Sequence, residues 1–129
     1  MKKFVFWTGV YNIFLGAGFL IPAIPKSLGI QLPISNFWLW LVAVLVIYLG
    51  LLLVLCSRNL KTRATIVYWE GVLRVIAFFL LVGFGFWGGI GIVVGIIGIA
   101  ELLIALVYFI GLPKALNTST SNLLLDKVI

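Results

Sequence analysis

Four apolar runs organise this chain, each closed by a short break carrying proline, glycine or charge: Phe4 to Ile24, Phe37 to Cys56, Ile66 to Trp87 and Gly89 to Gly111. A helix rising ~1.5 Å per residue needs about 20 residues to cross a hydrocarbon layer of roughly 30 Å, and each run meets that length. None alternates polar with apolar positions in steps of two, as barrel strands would. The pattern predicts an all-α fold, a polytopic four-helix transmembrane bundle forming one domain over residues 1–129, with spans at about 4–24, 37–56, 66–87 and 89–111 and a tail over 112–129. Between the runs it predicts a loop from Pro22 to Asn36 and a tight turn at Gly88-Gly89. The apolar stretch Leu28 to Leu32 of that loop is expected to lie on the membrane surface as a lid over the bundle mouth. Pro113 is expected to end the last helix, and the tail from Leu116 to Ile129 to be disordered unless Leu123 to Ile129 forms a surface helix or a partner anchor.

Composition supports the membrane reading. With 64% hydrophobic and 9% charged residues, the chain has too little polar surface to coat a soluble globule. The cations then set an orientation. Lys2 and Lys3 precede the first run, Arg58, Lys61 and Arg63 fill the break between the second and third, and Lys114 follows the fourth, whereas Lys26 stands alone on the opposite side. The positive-inside rule predicts both termini in the cytoplasm, in a plasma or inner membrane. The formal charge of +6 is thus explained by topological anchors that also meet anionic lipid, and no independent basic module suggests nucleic acid. Trp38, Trp40 and Trp87 near one boundary, with Trp7, Tyr68 and Trp69 near the other, read as interfacial belts. The first run, with its Pro22-Ala23-Ile24-Pro25 exit, fits a cleaved signal poorly and is read as retained.

Several chemistries are excluded by what is missing. There is one cysteine, Cys56, hence no internal disulfide; a small apolar filler is the expected role, with acylation as the alternative. The chain has no histidine, which removes His-ligated haem, His-based zinc and histidine acid-base catalysis. No strand precedes its glycines to make a phosphate loop. No catalytic residue and no metal site is expected, a non-enzymatic role is anticipated, and the cofactor is left open.

The polar residues inside the runs carry the remaining chemistry. Gly9, Asn12 and Gly16 share one helical face of the first run; Glu70 and Arg74 are an i,i+4 pair in the third; Gly91, Gly95, Gly98, Glu101, Ala105 and Tyr108 form one face of the fourth. The small residues, Gly9, Gly16, Gly91, Gly95, Gly98 and Ala105, are expected to pack helix on helix, with a dimer face along the Gly83 to Gly98 segment as the alternative. Folding the third and fourth runs about Gly88-Gly89 sets Arg74 level with a position near 103, within reach of Glu101 and Asn12. Asn12, Glu70, Arg74, Glu101 and Tyr108 are therefore the candidate ligand- or proton-binding residues. Two carboxylates against one guanidinium leave one negative charge, so one glutamate, Glu101, is expected to carry a proton or bind a cation.

Two readings stand side by side. An ionisable group at membrane depth normally faces a bundle interior or cavity, which makes the cluster a site for a small lipophilic or lipid-like ligand or for joining a larger membrane complex. Alternatively Arg74 snorkels toward the cytoplasmic face, Glu70 is partly solvated only about four residues from its helix start, and the three form a fold-specifying clasp. A proton-coupled transporter and a quinone-interacting subunit of an oxidoreductase are the functional alternatives, and a homo-oligomer or a membrane-protein partner is compatible with each.

The four-run layout, the opening Gly9-Val10-Tyr11-Asn12-Ile13-Phe14-Leu15-Gly16 and the Glu101-Leu102-Leu103-Ile104-Ala105 element resemble the small DoxX-like membrane proteins. That resemblance implies a four-helix bundle and, as for some members, association with quinone-linked oxidoreductase systems. Small multidrug resistance exporters are similar in length, but they carry their carboxylate in the first span, where this chain has Asn12. Dual-topology fluoride channels are similar in size, and the cation asymmetry argues against insertion both ways.

Overall fold

The structure is a computed structural model, described here for residues 1–126. It comprises α1 (Lys2–Leu20), α2 (Ala23–Ser27), α3 (Asn36–Arg58), α4 (Leu60–Val82), a π-helical turn (Gly83–Trp87), α5 (Ile92–Leu116) and α6 (Thr120–Leu124). α1, α3, α4 with its π-helical extension, and α5 are each long and apolar enough to cross a membrane. Bulky apolar side chains such as Phe14, Leu45, Phe79 and Ile110 stand exposed on each of them.

The helices pair as two antiparallel hairpins. α1 packs along α3 and α4 along α5, while α3 and α4 meet much more loosely. Small residues seven apart explain the first pairing. A Cβ on Gly9 would lie 2.7 Å from the Gly50 carbonyl oxygen, and one on Gly16 2.8 Å from that of Ala43, so the backbones approach as closely as glycine permits. In the second hairpin Gly71 faces the Tyr108 ring and Gly98 faces Leu81. Met1, Leu60, Leu112 and Leu123 share one hydrophobic cluster with Val5 and Leu53, so both ends of the described chain and the α3–α4 junction lie together, at what is called here the terminal end. At the opposite, loop end the Gln31 backbone N–H donates to the Ile90 carbonyl at 2.7 Å, tying the two connections together. The segment expected as a membrane-lying lid is therefore stitched to the second hairpin.

Several boundaries differ from those the hydropathy suggests. α1 ends at Leu20 rather than Ile24, because Ile21 precedes proline and is extended (φ −104°, ψ 101°). No basic loop separates α3 from α4: Asn59 alone breaks the helix, and Arg63 donates to the otherwise free Leu55 carbonyl at 2.6 Å. Hydropathy missed this first stretch of α4 because its outer face is polar. Pro113 lies inside α5 rather than ending it. Proline removes one donor and crowds the preceding turn, but its carbonyl still accepts from Asn117 and Thr118, and the helix runs to Leu116 and stops where Asn117 turns left-handed (φ 52°). Gly91 is not on the α5 face but at its N-cap, with φ 140° and its Cα side against the Gly29 carbonyl, a place only glycine fits. Tyr68 is no belt residue; its ring packs on Phe109 with centroids 5.0 Å apart.

The tail is ordered as far as it is described. Ser119 caps α6, Leu123 is wholly buried in the terminal cluster, and the Trp69 indole N–H donates to the Leu124 carbonyl at 3.1 Å. Lys127, Val128 and Ile129, the remainder of the expected surface helix or anchor, lie outside the described residues. Leu123→Ala is expected to cost about 2–4 kcal/mol, as other buried leucine truncations do, and to expose the tail to proteolysis before the helices. Limited digestion with mass mapping checks this; a tail cleaved equally fast in the unmodified protein would show that α6 is not docked.

Candidate functional site

The buried face of α1 runs Val5, Thr8, Gly9, Asn12, Gly16, and that of α5 runs Gly95, Gly98, Glu101, Ala105, Tyr108, both stepping by three and four, with Thr8 and Gly9 adjacent in α1. α4 turns Val67, Glu70, Gly71 and Arg74 inward by the same rule. Periodicity thus delivers all five candidate residues to one place between the hairpins.

Arg74 is the centre of that place. Its Nε donates to Glu70 Oε2 at 2.8 Å, its Nη1 to Glu101 Oε2, and its Nη2 to Asn12 Oδ1 at 3.2 Å. The Tyr108 ring lies beneath the guanidinium, 5.9 Å from Cζ to centroid, close enough for a cation–π contact. Tyr108 in turn bonds the Thr8 hydroxyl; because Thr8 already donates to the Val5 carbonyl at 2.9 Å, the tyrosine must be the donor. Each carboxylate thus pairs with the guanidinium, and each guanidinium nitrogen has an acceptor.

The snorkelling alternative does not survive this geometry. Only 2% of Arg74 is exposed, and Glu70 and Glu101 are nearly as buried. Since α4 begins at Leu60 and not Ile66, Glu70 stands ten residues into its helix, ~15 Å from the start at the usual rise, and is not near an end where water would reach it. The hairpin register also differs from a simple fold-back at Gly88-Gly89. The pairing of Gly71 with Tyr108 and of Leu81 with Gly98 puts Arg74 level with Ala105, not 103. The π-helical turn and the Gly88 to Gly91 bend occupy the extra residues. Glu101 is consequently about one turn beyond Arg74 and Glu70 one turn before it, and the long arginine side chain spans both.

A cavity of about 330 Å³ lies beside the cluster. All four long helices wall it: Phe19 from α1, Val46 from α3, Ala77 from α4 and Ile97 from α5 are apolar, while Asn12, Glu70, Arg74 and Glu101 make its polar floor. Val42 and Leu80 are half-exposed wall residues, so the space opens sideways through the gap between α3 and α4. Asn12 Nδ2 and the Oε1 atoms of Glu70 and Glu101 hydrogen-bond to no described residue, yet the sole fully enclosed side-chain polar atom without a partner among the described residues is Thr65 Oγ1. The three atoms are therefore not fully enclosed, although the accessible lining of the cavity is almost entirely apolar.

Of the small residues, Gly9, Gly16, Gly95 and Gly98 do stand at close contacts within the chain, Gly95 against Phe86 and Gly85, and Ala105 is buried, whereas Gly91 belongs to the turn. Cys56 is sealed in the terminal cluster, which leaves no access for acylation. Thr8 and Gly50 are the contributors that the sequence reading passed over, whereas Ala77 follows from the Glu70, Arg74, Ala77 and Leu81 face of the third run. A signal for Thr8 was present. Val5-Phe6-Trp7-Thr8-Gly9-Val10-Tyr11-Asn12 and Val67-Tyr68-Trp69-Glu70-Gly71-Val72-Leu73-Arg74 align at a spacing of 62 residues, with valine, tryptophan, glycine and valine identical. In both, the tryptophan is exposed and the valine, glycine and two polar residues are buried. Asn12 and Arg74 are thus equivalent positions of two similar hairpins, as are Thr8 and Glu70, and Asn12 bonds Arg74 where the hairpins meet.

Among the described residues no three His, Cys, Asp or Glu side chains gather to hold a metal ion. Comparison with family models, with curated proteins and with solved structures finds no match for this chain.

Proposed function

We propose that this chain is an integral membrane protein of four spans, both termini cytoplasmic, that binds a small lipophilic molecule in the cavity between its two hairpins without transforming it. Orientation rests on charge: among the described residues Lys2, Lys3, Arg58, Lys61, Arg63 and Lys114 flank the terminal end, and Lys26 alone the loop end. One observation carries the binding reading. The cavity is almost wholly apolar in its lining, has the side chains of Asn12, Glu70, Arg74 and Glu101 at its floor, and is open sideways between α3 and α4, where acyl chains would lie against the bundle. Its volume falls at the lower end of the range of small-molecule sites, which are likewise mostly apolar with a few convergent polar groups. Kinship with the DoxX-like proteins belongs to the same proposal and rests on the residue pattern alone.

The clasp reading is favoured by a separate observation, the Arg74–Asn12 and Tyr108–Thr8 bonds that join one hairpin to the other. It coexists with ligand binding, since those bonds leave the cavity free. Filling the cavity separates the two roles. Ala77→Trp places an indole in the space while leaving every member of the ion pairs unaltered in sequence. Small molecules extracted from the purified protein in nanodiscs are expected to include a lipophilic compound enriched severalfold in the wild type over this variant. Identical extracts from two folded proteins would reject binding and leave the clasp.

A further inference from the structure

The cluster has an unbalanced charge and a definite set of free atoms, and together these select among ligands. We propose that the bound molecule is a lipophilic amine, its protonated amino head seated between the free oxygens of Glu70 and Glu101 and its hydrocarbon chain lying along the cavity walls toward the α3–α4 opening. This rests on the binding reading above and adds the chemistry of the head group.

Two carboxylates meet one guanidinium, leaving a formal charge of −1. Among the described residues no further cation cancels it, because Lys2, Lys3, Lys26, Arg58, Lys61, Arg63 and Lys114 all belong to helix ends or connections. An unbalanced charge walled by Phe19, Val46 and Ile97 strongly favours a counter-charge. Arg74 is already engaged by an acceptor at each of its three nitrogens, whereas Glu70 and Glu101 each use Oε2 for Arg74 and keep Oε1 free. The atoms left to a ligand are therefore two charged acceptors, the neutral donor Asn12 Nδ2 and the second N–H of each Arg74 Nη. An ammonium group supplies positive charge and several N–H donors to those acceptors. A carboxylate or phosphate head would add a further negative charge beside two glutamates that already outnumber the single guanidinium. A bare metal ion would find two carboxylates and no third acidic, thiol or imidazole group among the described residues, and would leave the apolar walls unfilled.

The test offers equal amounts of dodecylamine, dodecanol and dodecanoate to the protein in nanodiscs at neutral pH and reads the retained compound by native mass spectrometry. Dodecylamine is expected at least tenfold over either competitor on the wild type, and is expected to be lost from Glu101→Gln and from Ala77→Trp. Dodecanoate or dodecanol retained as well as the amine, and displaced by Ala77→Trp, overturns the amine while the binding reading stands; the alcohol would mean that a proton balances the charge. Amine retained equally by a folded Glu101→Gln protein also overturns it. Should Glu101→Gln fail to fold, the three-probe comparison on the wild type still decides. If no probe is retained more by the wild type than by Ala77→Trp, the binding reading falls with the proposal.

Discussion

Arg74→Leu is expected to destabilise the fold by about 3–5 kcal/mol, the usual consequence of removing one partner from a buried ion pair. The loss comes less from the bonds themselves than from what remains. Glu70 and Glu101, both buried, would be left facing each other without a cation, and Tyr108 would lose the charge over its ring. The contrast with Asn12→Leu is the informative control. That variant removes one neutral acceptor at 3.2 Å while both carboxylates still hold the guanidinium, so it should cost about 1 kcal/mol or less, in line with hydrogen bonds between helices in lipid. If charge is the cause, neutralising all three members in Arg74→Met/Glu70→Gln/Glu101→Gln should recover most of the stability lost by Arg74→Leu. Reversible unfolding in mixed micelles measures all three. A triple variant as unstable as Arg74→Leu would mean that the shape of the arginine, and not its pairing, holds the hairpins together.

Gly50→Leu is expected to abolish the folded state, and Gly50→Ala to cost about 1–3 kcal/mol, the range for overpacking a close contact. A Cβ at position 50 would stand 2.6 Å from the Gly9 carbonyl oxygen and 2.9 Å from the Ile13 nitrogen, and these are backbone atoms of the neighbouring helix that cannot rotate away. α1 and α3 would have to separate along their whole length. Gly18→Ala, in the same α1, meets nothing within 4 Å and should be neutral or stabilising by up to about 1 kcal/mol through helix propensity. Thermal denaturation of the three proteins distinguishes close approach from any general intolerance of α1 and α3 to added methyl groups. Equal losses in Gly50→Ala and Gly18→Ala would refute the packing account. The same displacement should weaken the site, because Asn12 rides on α1 one turn from Gly9.

The candidate site was legible to the extent that it obeys helical periodicity. Asn12, Glu70, Arg74, Glu101 and Tyr108 are rare polar or aromatic residues placed on faces that small residues mark as buried, and a step of three or four brings each inward. Thr8 escaped because a lone threonine early in an apolar run looks unremarkable until Trp7-Thr8-Gly9-Val10 is set against Trp69-Glu70-Gly71-Val72. Gly50 escaped because its significance lies in a heptad with Ala43 and Ser57, legible only once α1 is known to be the partner of α3.

Local chemistry determined the number and kind of the long helices, their inward faces, and the likeness of the two hairpins' first helices, because these depend on backbone geometry and on apolar positions a few residues apart. Tertiary structure decided the rest. Whether α4 begins at Leu60 or Ile66, and whether α5 survives Pro113, turned on hydrogen bonds to carbonyls that hydropathy does not see. The register that puts Arg74 level with Ala105, the docking of Leu123, and the gap between α3 and α4 all depend on how side chains far apart in sequence fill shared space. No periodic rule along a single helix contains that information, and it is the gap between the hairpins that makes a buried ion cluster the floor of a cavity.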